Sequence, residues 1–253
     1  MDSVERHRYI LKKLETEGKV SVLDLCEELD VSSVTIRKDL RFLEKSNLLY
    51  RTHGGATKEN PYTKDKPVYE KEKILVEEKK RIGQKAAELV EENDSIIIAS
   101  GTTMHAFARE LSPSGQLTVV TASLHVAIEL GKYANTDIIQ LGGILRKSSS
   151  SVTGIYSESL LKDFYCSKLF LGIDGLDLDY GITTTNAMEA QLNRSMIESA
   201  QKIIVLADST KFGRKSFSKI CDLEKIDVVI TDEISSVFQE ALEEQGIQVI
   251  ISG

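Results

Sequence analysis

Hydroxyl-bearing residues follow a predicted strand at the point where a helix begins. Ser100, Gly101, Thr102 and Thr103 come directly after the β-branched run SIIIA, and the residues beyond them have helical spacing. Backbone N–H groups at a helix start, together with nearby hydroxyls, suit the binding of a phosphate group. Taken alone, the pattern fits an ordinary strand-to-helix turn capped by threonine equally well.

Similar turns end the next two predicted strands. Thr121 closes the run LTVVT with Ser123 two residues later, while Gly142 and Gly143 follow the run DIIQL. In a parallel sheet of alternating strands and helices, ligands bind at the carboxyl ends of the strands. If the three strands belong to one such sheet, their turns are expected to converge on a single crevice. This convergence favours a shared site for a phosphorylated ligand over the alternative that the three turns have no common role.

Charged residues near two later strands could bind the rest of such a ligand. Asp174 follows the run KLFLGI, Glu189 lies in a predicted helix, and Lys211 follows the run KIIVLA. Carboxylates accept hydrogen bonds from sugar hydroxyls, and a lysine can reach an anion. The alternative is that Asp174 and Asp208 only cap turns and that Lys211 is solvated.

A second kind of chemistry is predicted in the first 60 residues, where basic side chains cluster. Between Val31 and Lys58, six basic minus two acidic residues gives +4, in a chain whose net charge is −7. Such a concentration of positive charge is typical of contact with nucleic-acid phosphates. The alternative is a protein-interaction module with a solvated basic face. The residues predicted to contact DNA phosphates and base edges are Ser32, Ser33, Thr35, Arg37, Lys38, Arg41, Arg51 and His53.

Three short helices are predicted to carry these side chains. Apolar residues at helical spacing define them as Val4–Thr16, Val22–Leu29 and Ser33–Lys45. The three-residue turn before the third helix is the helix-turn-helix pattern, and Ser32 or Ser33 is placed to cap that helix. A short strand at Leu48–Thr52 and the glycine-rich turn Thr52–Ala56 then predict a wing.

The rest of the chain alternates short apolar strands with helices. The strands are predicted at 95–99, 117–121, 137–141, 168–173, 202–207, 227–231 and 247–251. The helices between them are predicted at 102–111, 123–133, 187–200 and 233–244. Continuous apolar strands separated by helices predict a mostly parallel α/β sheet that is buried on both faces. The predicted domains are therefore a winged helix at 1–57, a linker at 58–73 and an α/β domain at 74–253.

Composition narrows the class of protein. A chain of 253 residues with 41% hydrophobic and 28% charged residues fits a globular protein of one or two domains. No apolar run approaches the roughly 20 residues of a membrane span, and the N-terminus lacks the apolar segment of a secretory signal. A cytoplasmic protein without a membrane partner is expected. The three cysteines are odd in number and far apart in the sequence, so disulfides are not expected. The four histidines and the cysteines have no metal-binding spacing, so no metal site is expected. No cofactor is expected either.

The motifs resemble one known family. VSSVTIRKDLRFLEK, followed by LLYRTHGGA, closely resembles the N-terminal winged helix-turn-helix of the DeoR/GlpR family of bacterial transcription regulators. Asp30 departs from the glycine common in such turns, and it can adopt the left-handed conformation at some cost. The second part of the chain resembles the sensor domain of the same family. The motifs that carry this resemblance are, in order, SGTT, TASLHVA, LGG, FLGIDGLD, GITTTNAMEAQLNRSMI and VLADSTKFG.

The resemblance implies a sensor domain that is similar in fold to ribose-5-phosphate isomerase and that binds a phosphorylated sugar as effector. On that basis Gly101–Thr103 would hold the phosphate, and Asp174, Glu189 and Lys211 would face the sugar. Ala99 and Ala122 stand where many family members have Asp and Asn, which bears on the choice of effector.

The sequence therefore predicts a DNA-binding transcription regulator, more a repressor than an activator, of a sugar or sugar-derivative catabolic operon. Binding as a dimer or tetramer and release by a phosphorylated sugar are expected. The alternative is a sugar-phosphate isomerase with an attached DNA-binding domain, using Asp174, Asp177 and Glu189 for acid–base chemistry. The loop Tyr180–Thr183 lacks the lysine that these isomerases carry there, so an enediolate would be poorly stabilised. A nucleoid protein that binds DNA broadly is a third possibility.

Overall fold

The structure of the protein is a computed structural model that describes residues 2–46, 48–52, 54–58 and 67–253. The chain forms two compact units, Met1–Lys64 and Asp65–Gly253. The boundary falls inside the predicted linker, 58–73. The last part of that stretch therefore belongs to the second unit, where the Val68 N–H donates to the Ser148 carbonyl at 2.6 Å and Lys71 pairs with Asp174.

The first unit is a winged helix. Its elements are α1 (Ser3–Glu17), β1 (Lys19–Ser21), α2 (Val22–Leu29), α3 (Ser33–Lys45), β2 (Tyr50–Thr52) and β3 (Gly55–Thr57). The three predicted helices are confirmed within one residue at each end. Strand β3 pairs antiparallel with both β1 and β2, so the wing is anchored to a strand that the sequence does not predict. Gly55 is required there, because a Cβ would lie 2.0 Å from the Val20 carbonyl oxygen.

The turn between α2 and α3 has the conformation that its sequence suggests. Asp30 is left-handed, with φ 52° and ψ 50°, and its N–H donates to the Cys26 carbonyl oxygen. Ser32 is the residue that caps α3, since its hydroxyl accepts a hydrogen bond from the Thr35 N–H at 3.3 Å. The two features fix the direction in which α3 leaves the turn.

One buried carboxylate joins α1 to α3 beside the apolar core of the first unit. Asp39, only 6% exposed, accepts hydrogen bonds from Arg6 Nε at 2.6 Å and Nη2 at 3.0 Å, and its Oδ1 lies 3.0 Å from His7 Nε2. Burial alone would raise the pKa of Asp39, but the bonds from Arg6 and His7 outweigh it and lower that pKa below its ordinary 3.8. The pair therefore stabilises the unit at neutral pH, and its contribution is lost as the pH falls from 3.8 through the pKa in the folded state.

The second unit is larger and mixes helices with strands. Its helices are α4 (Val68–Lys71), α5 (Val76–Ala87), α6 (Thr102–Glu110), α7 (Leu124–Leu130), α8 (Ile155–Leu161), α9 (Ala187–Glu198) and α10 (Ser236–Glu243). Its strands are β4 (Ser95–Ile98), β5 (Leu117–Thr121), β6 (Thr136–Gln140), β7 (Ile144–Arg146), β8 (Ser151–Thr153), β9 (Cys166–Gly172), β10 (Gly175–Asp177), β11 (Gly181–Thr184), β12 (Ala200–Leu206), β13 (Ser218–Cys221), β14 (Val228–Thr231) and β15 (Gln248–Ile251).

Seven strands of this unit form one parallel sheet in the order β15-β14-β12-β9-β4-β5-β6. They are the seven strands that the apolar runs predict, and α6, α7, α9 and α10 occupy the four predicted helical stretches. Helix α8, the hairpin of β7 and β8, and the small antiparallel sheet of β10, β11 and β13 are not predicted from the sequence.

Both faces of the parallel sheet are covered by helices. Along β4, Ile96 and Ile98 pack in one apolar cluster with α5, α6 and α7, while Ile97 packs in another with α8, α9 and α10. Alternate side chains of a strand point to opposite faces, so an inner strand such as β4 or β14 is buried on both faces and its run is continuously apolar. No helix of the described residues is long and apolar enough to cross a bilayer.

We expect the substitution Arg6→Ala to destabilise the first unit by about 3 kcal/mol, because it leaves Asp39 buried without its arginine. Hydrogen–deuterium exchange of the full chain should report faster exchange in α1 and α3 and no change in the second unit. Arg8→Ala is the matched control, since Arg8 is an exposed arginine of the same helix. Equal protection of α3 in the two variants would contradict the role given to the Arg6–Asp39 pair.

Candidate functional site

Helix α3 carries a group of exposed basic side chains on the side that faces away from the core. Arg37, Lys38 and Arg41 are exposed, whereas the intervening Asp39 and Leu40 are buried. Arg37 and Arg41 are four residues apart, so they lie on the same side of the helix one turn from each other. Val34, 70% exposed and not predicted as a site residue, precedes them by one turn and could contact a thymine methyl group.

The other predicted DNA contacts surround this group. The Ser32 and Thr35 hydroxyls lie 3.0 Å apart at the start of α3, and Ser33 follows the cap half-buried. Arg51 lies in β2 of the wing, where its backbone N–H donates to Glu44 Oε1 at 3.0 Å and its Nη1 lies 3.6 Å from Glu44 Oε2. Glu44 therefore ties the wing strand to the end of α3. His53 lies outside the described residues.

In the second unit, α6 begins without a capping side chain. Gly101 precedes Thr102 with φ 127° and ψ 163°, a conformation that strongly favours glycine, and among the described residues no side chain caps the first turn. The first N–H groups of a helix have no partner within it, and the helix dipole adds partial positive charge there. The loop Ser100–Thr103 therefore offers N–H groups at the start of a helix, and the binding of a phosphate there stays a prediction.

Glu189 lies beside this loop. Its Oε1 accepts a hydrogen bond from the Ser100 hydroxyl at 3.2 Å, and its Oε2 lies 2.5 Å from Arg146 Nη1. Burial raises the pKa of Glu189 although Arg146 opposes that effect, and the nearby carboxylate of Asp174 adds to the increase. The predicted residues Ser100 and Glu189 are thus brought together.

Asp174 is the second carboxylate of the crevice. Its Oδ1 lies 3.2 Å from Lys71 Nζ, and its Oδ2 accepts hydrogen bonds from the Thr184 hydroxyl and from the Thr185 N–H and hydroxyl at 3.1 to 3.2 Å. Burial acts to raise the pKa of Asp174, but Lys71 and Lys211 outweigh it and lower that pKa to about 2. Asp174 is therefore a carboxylate at any physiological pH, and it is available to accept hydrogen bonds from hydroxyl groups.

Lysines surround these carboxylates. Lys211 Nζ lies 3.9 Å from Asp208 Oδ2, and the same Asp208 also caps the turn that carries Lys211. Lys79 is buried and donates to the Lys71 carbonyl at 2.8 Å and the Ile74 carbonyl at 2.6 Å. Burial lowers the pKa of Lys79 to about 8. Lys79 thus holds the chain segment that carries Lys71.

Three of the cations near these carboxylates, Lys71, Lys79 and Arg146, are not predicted from the sequence. Lys71 lies in the stretch that is predicted as a linker, and Arg146 lies in the unpredicted strand β7. Their partners are distant in sequence, since 103 residues separate Lys71 from Asp174 and 43 separate Arg146 from Glu189. No spacing pattern connects positions so far apart.

The remaining predicted residues lie in the turns that follow β5 and β6 or at the end of β5. The Thr121 hydroxyl is fully buried, donates to the Ile98 carbonyl at 2.7 Å and accepts from the Ser123 N–H at 3.1 Å. The Ser123 hydroxyl caps α7. The Gly142 carbonyl accepts from the Ser157 hydroxyl, and Gly143 has φ 151°. Thr121 and Ser123 therefore already bond within the protein, whereas the N–H groups of Gly101–Thr103 have no acceptor among the residues that the structure describes.

The chain matches two known domain families. The DeoR-like helix-turn-helix domain matches residues 6–61, and the DeoR C terminal sensor domain matches residues 75–233. The HTH-type transcriptional regulator GlpR of Haloferax volcanii is 35% identical over 97% of this chain and 96% of its own. The HTH-type transcriptional repressor GlcR of Bacillus subtilis is 32% identical over 98% and 96%. The glycerol-3-phosphate regulon repressor of Escherichia coli is 32% identical over 92% of each chain.

A solved structure gives a weaker match. The ribose 5-phosphate isomerase A of Methanocaldococcus jannaschii aligns with 56% of this chain and 56% of its own, with a TM-score of 0.42 and 16% identity. A similarity of this size carries no argument about activity.

The helix-turn-helix and sensor domains together define a transcription regulator that binds DNA, and not an enzyme. The chain belongs to the DeoR family. The predicted family, fold class and kind of function are therefore confirmed: a winged helix-turn-helix unit is followed by a mostly parallel α/β unit.

We expect Gly101→Ala to destabilise the second unit by about 1–3 kcal/mol, because alanine is strained at this φ although its Cβ would meet no atom within 4 Å. Thermal unfolding of the full chain should record a Tm lower by roughly 2–4 °C per kcal/mol. Gly142→Ala is the matched control: its Cβ also meets nothing within 4 Å, and its φ lies outside the left-handed region. The same Tm for both variants would mean that Gly101 has no special conformational role.

Proposed function

We propose that the protein represses an operon for the catabolism of a sugar or sugar derivative, and that a phosphorylated sugar bound in the second unit relieves the repression. Two of the relatives are named as repressors, one of them of the glycerol-3-phosphate regulon. These names support repression as the sign of regulation and a phosphorylated carbon compound as the class of effector.

The observation that carries the effector proposal is the uncapped start of α6 beside paired charges. The N–H groups after Gly101 would bind the phosphate, and Lys211 would face the sugar. Asp174 and Glu189 would accept hydrogen bonds from sugar hydroxyls, exchanging part of their contacts with Lys71 and Arg146. The effector therefore needs both an anionic group and neighbouring hydroxyls, which distinguishes it from a free sugar.

On the DNA side, α3 enters the major groove of the operator. Arg37 and Arg41 face base edges and phosphates, and the start of the helix contacts the backbone through its hydroxyls and N–H groups. The full set of proposed contacts is Ser32, Ser33, Thr35, Arg37, Lys38, Arg41, Arg51 and His53.

The regulator works in the cytoplasm, where its operator is, as a dimer or tetramer on repeated half-sites. Exposed apolar side chains on neighbouring elements of the second unit support self-association. Ile144 and Leu145 in β7, and Ile155 and Tyr156 in α8, are each more than half exposed.

The effector regulates only if it binds the DNA-competent and DNA-incompetent states with different affinities. Lys71 is a natural point for such a difference, because a bound anion competes with Asp174 for its ammonium group. The segment that carries Lys71 directly precedes α5 in the chain. Binding would thus change the ion pairing of the part of the second unit that is nearest in sequence to the DNA-binding unit.

We expect Arg37→Ala to weaken operator binding by about 1–3 kcal/mol, which is the loss for an arginine that contacts a base. Fluorescence anisotropy with labelled operator DNA at one fixed salt concentration would measure the change. Lys12→Ala is the matched control, since it removes one exposed positive charge from α1. If both variants bound the operator equally, α3 would not be the recognition helix.

We expect one phosphorylated sugar, and not its unphosphorylated parent, to raise the Tm of the wild-type chain. At 100 times the Kd the ligand adds about 2.7 kcal/mol, and roughly 2–4 °C accompany each kcal/mol. Thr102→Val should reduce this shift. Thr118→Val should retain it, because Thr118 lies in the same sheet but three residues before the carboxyl end of β5. A panel of sugar phosphates without any shift would reject the effector proposal and leave the DNA-binding assignment intact.

A further inference from the structure

Three potential metal ligands from separate elements meet beside α6. Glu72 follows α4, His105 lies in α6, and His125 lies in α7. Glu72 Oε1 is 2.6 Å from His105 Nδ1, and the two imidazole rings have centroids 4.8 Å apart. One ligand atom from each side chain can be chosen so that all three lie within 4.8 Å of one another.

We propose that Glu72, His105 and His125 form a binding site for a divalent transition-metal ion of the Zn²⁺ type. Two imidazoles and one carboxylate are a ligand set that Zn²⁺ takes in sites with three protein ligands, where water or an exchangeable ligand completes the coordination. Imidazole nitrogens disfavour Mg²⁺ and Ca²⁺, which prefer oxygen ligands. This site is separate from the proposed effector contacts and does not depend on them.

The geometry requires only side-chain adjustment. At metal–ligand distances of about 2.0–2.2 Å, the ligand atoms of a tetrahedral ion lie about 3.4 Å apart. The Glu72–His105 contact therefore has to open, and the widest separation has to close. Glu72 and His125 are only half-buried and can turn, whereas His105 is 7% exposed and fixed in α6.

Two charged groups act on the proposed site. The charge of Arg109, near His105, works against a bound cation, and the carboxylate of Glu72 offsets that charge.

A hydrogen-bonded Glu72–His105 pair alone does not account for the position of the His125 imidazole. Within the residues that the structure describes, neither ring nitrogen of His125 has a hydrogen-bond partner, yet its ring packs against that of His105. A metal ion shared by the two rings would give His125 a partner. It would also join residues 72–75, where Leu75 is held at φ 53°, to α6 and α7.

The test uses the full chain, freed of metal with a chelator and dialysed. Isothermal titration with Zn²⁺ should give one ion per chain, and Co²⁺ should give visible absorption bands of a tetrahedral site with nitrogen and oxygen ligands. His125→Ala and Glu72→Gln should each lower the affinity at least about tenfold. Glu70→Gln is the matched control and should bind as the wild type does, because Glu70 is an exposed glutamate two residues from Glu72. Circular dichroism would verify that each variant is folded.

Three results would overturn the proposal. The first is no binding of Zn²⁺ or Co²⁺ by the wild-type chain. The second is equal affinity in His125→Ala, Glu72→Gln and Glu70→Gln. The third is a cobalt–thiolate charge-transfer band, which would assign the metal to one or more of the free cysteines, Cys26, Cys166 and Cys221, instead.

Discussion

Charge compensation at two half-buried carboxylates organises the crevice of the second unit. Asp174 and Glu189 lie close enough for the charge of one to raise the pKa of the other, and carboxylates so placed need cations or hydrogen-bond donors close by. The parallel sheet does not supply them. They come from its periphery: Lys71 from α4, Arg146 from the hairpin strand β7, and Lys211 from the turn after β12. These peripheral elements are therefore fixed to the crevice by the acids within it.

The first unit uses the same principle with one acid. Asp39 lies within α3 between exposed basic residues, and its carboxylate points inward to Arg6 and His7. The ion pair sets the position of α3 against α1, while the exposed arginines of α3 stay free of it. One side of α3 thus packs against the rest of the unit, while different side chains on its other side remain exposed for DNA contact.

Local patterns were enough to predict the main elements but not the ion pairs. The seven strands of the parallel sheet are evident in the sequence because burial on both faces makes them continuously apolar. Strands β7 and β8 are three residues each, too short for any periodicity. Arg146, Lys71 and Arg6 were missed because each is defined by a partner more than 30 residues away. The histidines gave no metal pattern for a similar reason: Glu72, His105 and His125 come from three elements that only the folded sheet brings together.

The exposed basic face of α3 has a consequence for how the molecule approaches DNA. The chain carries −7 in total, and residues 31–58 carry +4, so the remaining residues carry −11. A polyanion is repelled by most of such a protein and attracted by one small region. The resulting torque turns the protein during diffusion, before any contact is made. Collisions in the wrong orientation are brief because the acidic surface is repelled by DNA. The acidic residues thereby favour encounters in which the small positive patch faces the DNA.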